Sequence, residues 1–144
     1  MAQPTSNPTP AEKTLAEHRA LNTLLDEIEQ ASADAATAAE TLPPRLRTLY
    51  ERLADHFETE EQGGLFEQIL ELAPEQAHEC EKLCSEHQGL LRRVDVLRTA
   101  DAEARADPGW AASVRAMLAE LSGHESRENE LLSRVLDGSV EAQD

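Results

Sequence analysis

The chain has 144 residues, about one domain, and 40% of them are hydrophobic, enough for a core at that length. Only 3% are aromatic, so that core has to be built from Leu, Ala, Val and Ile. The net charge of −16 with neutral histidines argues against nucleic acid and against an anionic membrane surface, both of which call for a basic patch.

Ala, Leu, Glu, Gln and Arg dominate, all strong helix formers, and no window alternates with a strand's period of two. The fold class read from this is all-α. The opening "MAQPTSNPTP" is polar and Pro-rich, neither a signal peptide nor a transit sequence, and residues 1–10 are expected to be a disordered tail. No apolar run approaches the length of a membrane span. Cys80 and Cys84 lie four apart on one predicted helix, a poor disulfide framework, which fits a reduced, cytoplasmic protein.

The first predicted helix runs from Pro10 to Glu40, with an interior stripe of Leu15, His18, Leu21, Leu25 and Ile28 at spacings of three and four. Thr41 reads as the next N-cap, with Pro43 and Pro44 just inside the helix start. The second helix carries Leu46, Leu49, Leu53, His56 and Glu60, and Gly63 and Gly64 end it. "LFEQILEL" is a further helical piece before Pro74. The third long helix begins near Pro74, with a stripe of Cys80, Leu83, Cys84, His87, Leu90, Leu91, Val94 and Leu97. "ADPGW" (106–110) is a turn. The last helix carries Val114, Met117, Leu121, His124, Glu128, Leu131 and Val135 and is expected to stop near Gly138, leaving 139–144 as a C-terminal tail. Four amphipathic helices with short joins over 11–138 imply an antiparallel up-down four-helix bundle.

The chain also repeats. "EHRALNTLLDEI" in the first helix answers to "EHQGLLRRVDVL" in the third, and "LADHFETE" in the second to "LSGHESRE" in the last. The offset is 69 from His18 to His87, and 68 both from His56 to His124 and from Glu60 to Glu128. A helical hairpin thus occurs twice, which implies approximate two-fold symmetry.

Each apolar stripe carries one histidine (His18, His56, His87, His124), and two add a glutamate one turn on (Glu60, Glu128). All six occupy positions that a bundle would fill with Leu. An unpaired buried charge costs several kcal/mol even after relaxation, and an unpaired imidazole also costs. Six in one core would exhaust a typical domain stability of about 5–15 kcal/mol. They must satisfy one another or bind something. Four neutral imidazoles and two carboxylates make a good two-metal site, with two His on each ion and both glutamates bridging.

At these residues the chain resembles the hemerythrin-like, HHE cation-binding family, over about residues 11 to 137. The resemblance implies a four-helix bundle around a non-haem di-iron centre, two iron ions bridged by the two carboxylates and by an oxo or hydroxo group. Oxygen-carrying hemerythrins have His-x-x-x-His on the third helix, where this chain has Leu91 four after His87. They have His-x-x-x-x-Asp on the fourth, where this chain has Asn129 five after His124 and Glu128 four after it. The departures point to a symmetric four-histidine centre similar to family members that sense oxygen, iron or reactive species, with O2, peroxide or NO as the small ligand. The same site could instead turn over peroxide as a peroxidase- or catalase-like enzyme, act as a ferroxidase, or hold zinc in a structural bundle. No signalling partner is legible.

Other residues carry blander expectations. His78 is half a turn out of phase with His87 and faces away. Cys80 and Cys84 pack as small hydrophobes, with Cys84 near the metals as the alternative. Tyr50 packs with its hydroxyl at the rim, Trp110 covers one end of the bundle, and Glu58 and Glu61 face water. The ferritin-like pattern of two Glu-x-x-His helices is absent: the only such match is Glu75 to His78, at a helix start.

Overall fold

The computed structural model describes residues 8–143, with side chains through Asp137. Most of the expected N-terminal tail, residues 1–7, lies outside the described residues. The described chain is all-helical, without a strand. In order it comprises α1 (Pro10–Ala33), α2 (Ala38–Gln62), α3 (Leu65–Leu72), a 3₁₀ turn (Pro74–Gln76), α4 (Ala77–Arg98), α5 (Ala102–Ala106) and α6 (Pro108–Gln143). Helix α1 packs on α2 and α6, and α4 packs on the same two, so the four long helices close a ring; α3 lies against α1, α2 and α6.

Local chemistry sets the boundaries. Helix α1 starts at Thr9, whose hydroxyl accepts the Glu12 N–H at 3.2 Å, with Pro10 in the first helical position. It ends at Ala33, short of the predicted Glu40. The stretch "ADAAT" holds no Gly or Pro to signal a break, but the Asp34 side chain accepts the Ala36 N–H at 3.1 Å and turns the backbone. Helix α2 consequently begins at Ala38. Thr41 is no cap but bonds back to the Thr37 carbonyl, and Pro43 and Pro44 fall inside the helix.

At the far end of α2 the Gly63 N–H donates to the Thr59 carbonyl at 2.7 Å, and Gly64 takes a left-handed φ of 92°. That pair reverses the chain into α3, which buries Leu65 and Ile69. The "ADPGW" turn is present, with Asp107 accepting the Gly109 N–H at 2.8 Å, and the short α5 precedes it. Helix α6 runs past Gly138 to Gln143.

The apolar core comes in two parts. The larger gathers Leu21 to Ile28 of α1, Leu42 to Phe57 of α2, Leu90 to Leu97 of α4 and Trp110 to Leu121 of α6. The smaller gathers Ala11, Leu65, Ile69, Cys80, Leu83, Leu131, Leu132 and Val135. Along α1, α4 and α6 a polar stretch separates the two parts, and it contains His18, His87 and His124.

Candidate metal centre

His18 comes from α1, His56 and Glu60 from α2, His87 from α4, and His124 and Glu128 from α6. All six are buried, none more than 3% exposed. Their helical phase is the cause: each lies three or four residues from buried apolar neighbours, such as Leu21, Leu53, Leu83, Leu90 and Leu121. The expected apolar surround of Leu21, Leu25, Leu53, Leu90 and Leu121 is buried around them.

The six form two overlapping groups. His18, His56, Glu60 and Glu128 can offer one ligand atom each, all within 4.8 Å of one another, and so can Glu60, His87, His124 and Glu128. The two glutamates belong to both groups. Nε2 of His18 lies 3.0 Å from Glu128 Oε1, and Nε2 of His124 lies 3.1 Å from Glu128 Oε2. Nε2 of His56 stands 3.1 Å from Glu60 Oε1, and Nε2 of His87 stands 3.6 Å from both Glu60 Oε1 and Glu128 Oε2.

Several of these atoms are left over. Both carboxylate oxygens of Glu60, and Nε2 of His56 and of His87, are buried without a hydrogen-bond partner. A buried polar atom without a partner costs about 1–3 kcal/mol, more if charged. Four of them around one point fit a cation-holding role, because cations would occupy the lone pairs that protein donors leave free. Nitrogen and carboxylate oxygen together suit iron or zinc.

Each imidazole also has an outer partner on Nδ1. His56 donates to Glu17 at 2.6 Å and His124 to Glu86 at 2.8 Å. His18 donates to Asn129 Oδ1 at 2.7 Å, and His87 Nδ1 lies 3.4 Å from Glu61. These contacts fix the ring orientation and turn Nε2 inward, the arrangement that supports metal-bound histidines. They follow the sequence repeat: Glu17 and Glu86 directly precede His18 and His87, while Glu61 and Asn129 directly follow Glu60 and Glu128. The adjacent "EH" pairs were the available signal, but a Glu on a helix reads as a solvated charge until its partner helix is known. Glu61, expected in water, is 39% exposed yet reaches His87.

Electrostatics reflects the crowding. Burial, and next the Glu128 carboxylate, push Glu60 up to about 10. Burial pulls Glu128 the same way, but the hydrogen bonds from His124 and His18, with the His87 imidazole 3.6 Å away, together hold it below the ordinary carboxylate range. One of the two acids therefore keeps its proton so that both need not be charged. Burial is the largest single effect on His18 and His124 and opposes their charge, but the hydrogen bond to Glu128, its charge, and the outer partners Asn129 and Glu86 together outweigh it, so both are raised. Glu86 is held down at about 2, foremost by its hydrogen bonds from Arg127, at 2.6 and 2.8 Å.

The remaining candidates separate cleanly. His78 is exposed, as its phase predicts, and so is Glu58. Cys80 is buried in the smaller core. Cys84 is half-buried and donates to Glu61 at 3.1 Å, which joins it to His87 through that carboxylate; burial, and then this bond, push its thiol up to about 11. Tyr50 packs on the larger core beneath the Arg98 guanidinium. Trp110 is buried and donates to the Leu97 carbonyl at 3.2 Å. Glu125, which the stripe reading passed over, is a seventh buried polar group beside them, 6% exposed.

No curated protein and no solved structure matches the chain. The family model described as the hemerythrin HHE cation binding domain matches residues 6–69, which carry His18, His56 and Glu60. The second hairpin lies outside that match and answers to the first by its spacing and its contacts. Residues 6–69, then, are similar in sequence to a hemerythrin HHE cation-binding domain.

Proposed function

We propose that this protein is a hemerythrin-like non-haem di-iron protein that binds or senses O2, reactive oxygen or nitrogen species, or iron itself. In this reading the four long helices run up and down as an antiparallel bundle over residues 11–138. His18 and His56 would hold one iron and His87 and His124 the other, with Glu60 and Glu128 available to both. The observation that carries the proposal is the pair of overlapping buried ligand groups sharing both glutamates, with Glu60 and two imidazole nitrogens left without protein partners.

Two such irons, when bound, supply electrons and open positions to a small ligand such as O2, peroxide or NO. The chain supplies the rest. The outer acceptors Glu17, Glu86, Glu61 and Asn129 hold each ring so that Nε2 faces inward. Phe57 stacks on His87 at 3.9 Å between ring centroids and keeps water from that face. The larger apolar core closes one side of the site and the smaller core with α3 the other. A cavity of about 170 Å³ lined by Glu17, Arg52, Asp55 and His56 brings the surface to one of the histidines. Among the described residues no helix is long and apolar enough to cross a membrane, and two free cysteines suit the reducing cytoplasm.

The test is the metal content and near-ultraviolet to visible spectrum of protein purified without added chelator or metal. Two irons per chain with oxo-to-iron charge-transfer bands are expected. Two zincs and no colour would retain the residues and remove the redox chemistry. A metal-free chain that takes up neither ion would overturn the proposal.

A further inference from the structure

No residue of the buried centre is more than 3% exposed, so a cation from solution reaches it only through the shell of side chains around it. Each of the four imidazoles turns Nδ1 outward, and the four outward faces differ. Outside His56 stands Glu17, with Arg52 lining the same cavity. Outside His124 stands Glu86, whose charge is taken up by Arg127 at 2.6 and 2.8 Å. Outside His18 the acceptor is Asn129, which carries no charge. Two of these faces meet an arriving cation with a guanidinium, and the third offers it no anion.

The face outside His87 is of another kind. Glu61 Oε1 lies 3.4 Å from His87 Nδ1 and accepts from Cys84 Sγ at 3.1 Å. Glu61, Cys84 and His87 can each offer one ligand atom, all within 4.8 Å of one another, a third group beside the two of the buried centre. Among the described residues no Lys or Arg forms an ion pair with Glu61. Burial rises across the group, from Glu61 at 39% exposed through the half-buried Cys84 to the buried His87. The repeat does not supply these residues. By the offset of 69 Cys84 answers to Leu15, and by the offset of 68 Glu61 answers to Asn129. Both exchanges place a cation ligand beside one histidine where the other half has an apolar and a neutral side chain. Thiolate, carboxylate and imidazole together suit a divalent cation such as ferrous iron, zinc or cobalt(II).

Building on the di-iron reading, we propose that Glu61, Cys84 and Nδ1 of His87 form a capture site through which divalent cations enter the buried centre. Capture bonds the cation to Cys84 Sγ, and the thiol's proton leaves to water. Glu60 directly precedes Glu61 in the last turn of α2, and its two partnerless oxygens are the next acceptors inward. Once the cation has passed to Glu60, Cys84 regains a proton from water. The group therefore sets how fast the centre fills and leaves its final occupancy unchanged.

Rapid mixing of the metal-free protein with cobalt(II), under a reductant and without oxygen, tests this without reference to activity. A sulfur-to-cobalt charge-transfer band in the near-ultraviolet should rise first and fall as the visible absorption of buried cobalt(II) grows. Cys84→Ser should lose the band, load about 10-fold more slowly and still reach two cobalt(II) per chain. Glu61→Gln removes the steering charge and should also slow loading about 10-fold. Cys80→Ala should keep the wild-type band and rate. Wild-type protein that takes up two cobalt(II) ions, while both Cys84→Ser and Glu61→Gln load at its rate, would overturn the capture site alone. A sulfur band that persists at two cobalt(II) per chain would do the same, since the cation would then rest there and not pass on. Wild-type protein that takes up none would overturn the metal reading as well.

Discussion

Glu60 is completely buried, and neither of its carboxylate oxygens has a hydrogen-bond partner. In the metal-free chain it is therefore a liability, and only a cation turns it into an asset. Replacing a buried polar group by an apolar one of similar size relieves about 1–3 kcal/mol. Glu60→Leu is expected to raise the metal-free protein's stability by about that much, measured by urea unfolding in excess chelator, and to abolish metal uptake. A variant that lost stability under chelator would mean that Glu60 has a structural role of its own. The outer acids make the complementary case. Glu17→Gln and Glu86→Gln keep the shape and remove the charge that makes His56 and His124 better donors to a cation. Each should weaken iron about 10- to 100-fold by competition with a chelator of known affinity, with little change in helix content by circular dichroism. The burial of the six inner residues was legible in the sequence because a polar residue on an apolar helical stripe breaks a pattern. Glu17, Glu86 and Asn129 were not, because a polar residue off the stripe breaks nothing until a neighbouring helix supplies its partner. Glu125 was missed for a related reason: it follows His124 by one residue and so stands off the stripe through His124 and Glu128.

At the scale of the elements, the helices themselves were readable from their three-and-four spacing, and most errors fell at their ends. Asp34 ended α1 through a side-chain hydrogen bond that alanine-rich neighbours conceal, and α2 absorbed Pro43 and Pro44 where a start was expected. The Gly63–Gly64 break was legible, and it matters because Glu60 and Glu61 occupy the last turn of α2 just before it. Gly64 has a φ of 92°, which costs an L-residue about 1–2 kcal/mol. At Gly63 the obstacle is different: a Cβ would run into the Thr59 carbonyl oxygen, a backbone atom that has nowhere to move. Gly64→Ala should accordingly lower stability by about 1–2 kcal/mol and leave metal content intact. Gly63→Ala has to displace the end of α2, so it should lower both stability and metal content. Thermal melting and iron analysis on the two variants distinguish a strained turn from a displaced ligand.

Across the whole molecule, the repeat and the ring of four long helices put the same problem at one level. His18, His56, His87 and His124 converge on Glu60 and Glu128 between two apolar clusters, and no hydrogen-bond donor completes Glu60. A core divided in this way is weaker than one filled with leucine, and a bound cation has to make up the difference. Ligands that bind only the folded state stabilise it by mass action, about 2.7 kcal/mol for one site at a free concentration of 100 Kd. Two such sites give roughly 5 kcal/mol. For a chain of this size each kcal/mol moves the melting temperature by roughly 2–4 °C. Metal-loaded protein should therefore melt about 10–20 °C above the same protein in excess chelator, a difference read directly by calorimetry. The shift should vanish in Glu60→Leu, because that variant removes the ligand shared by both cations and has no orphaned carboxylate left to relieve. Equal melting temperatures with and without chelator in the wild type would mean that the histidine layer satisfies itself, and the two-cation centre would then have no energetic basis in this fold.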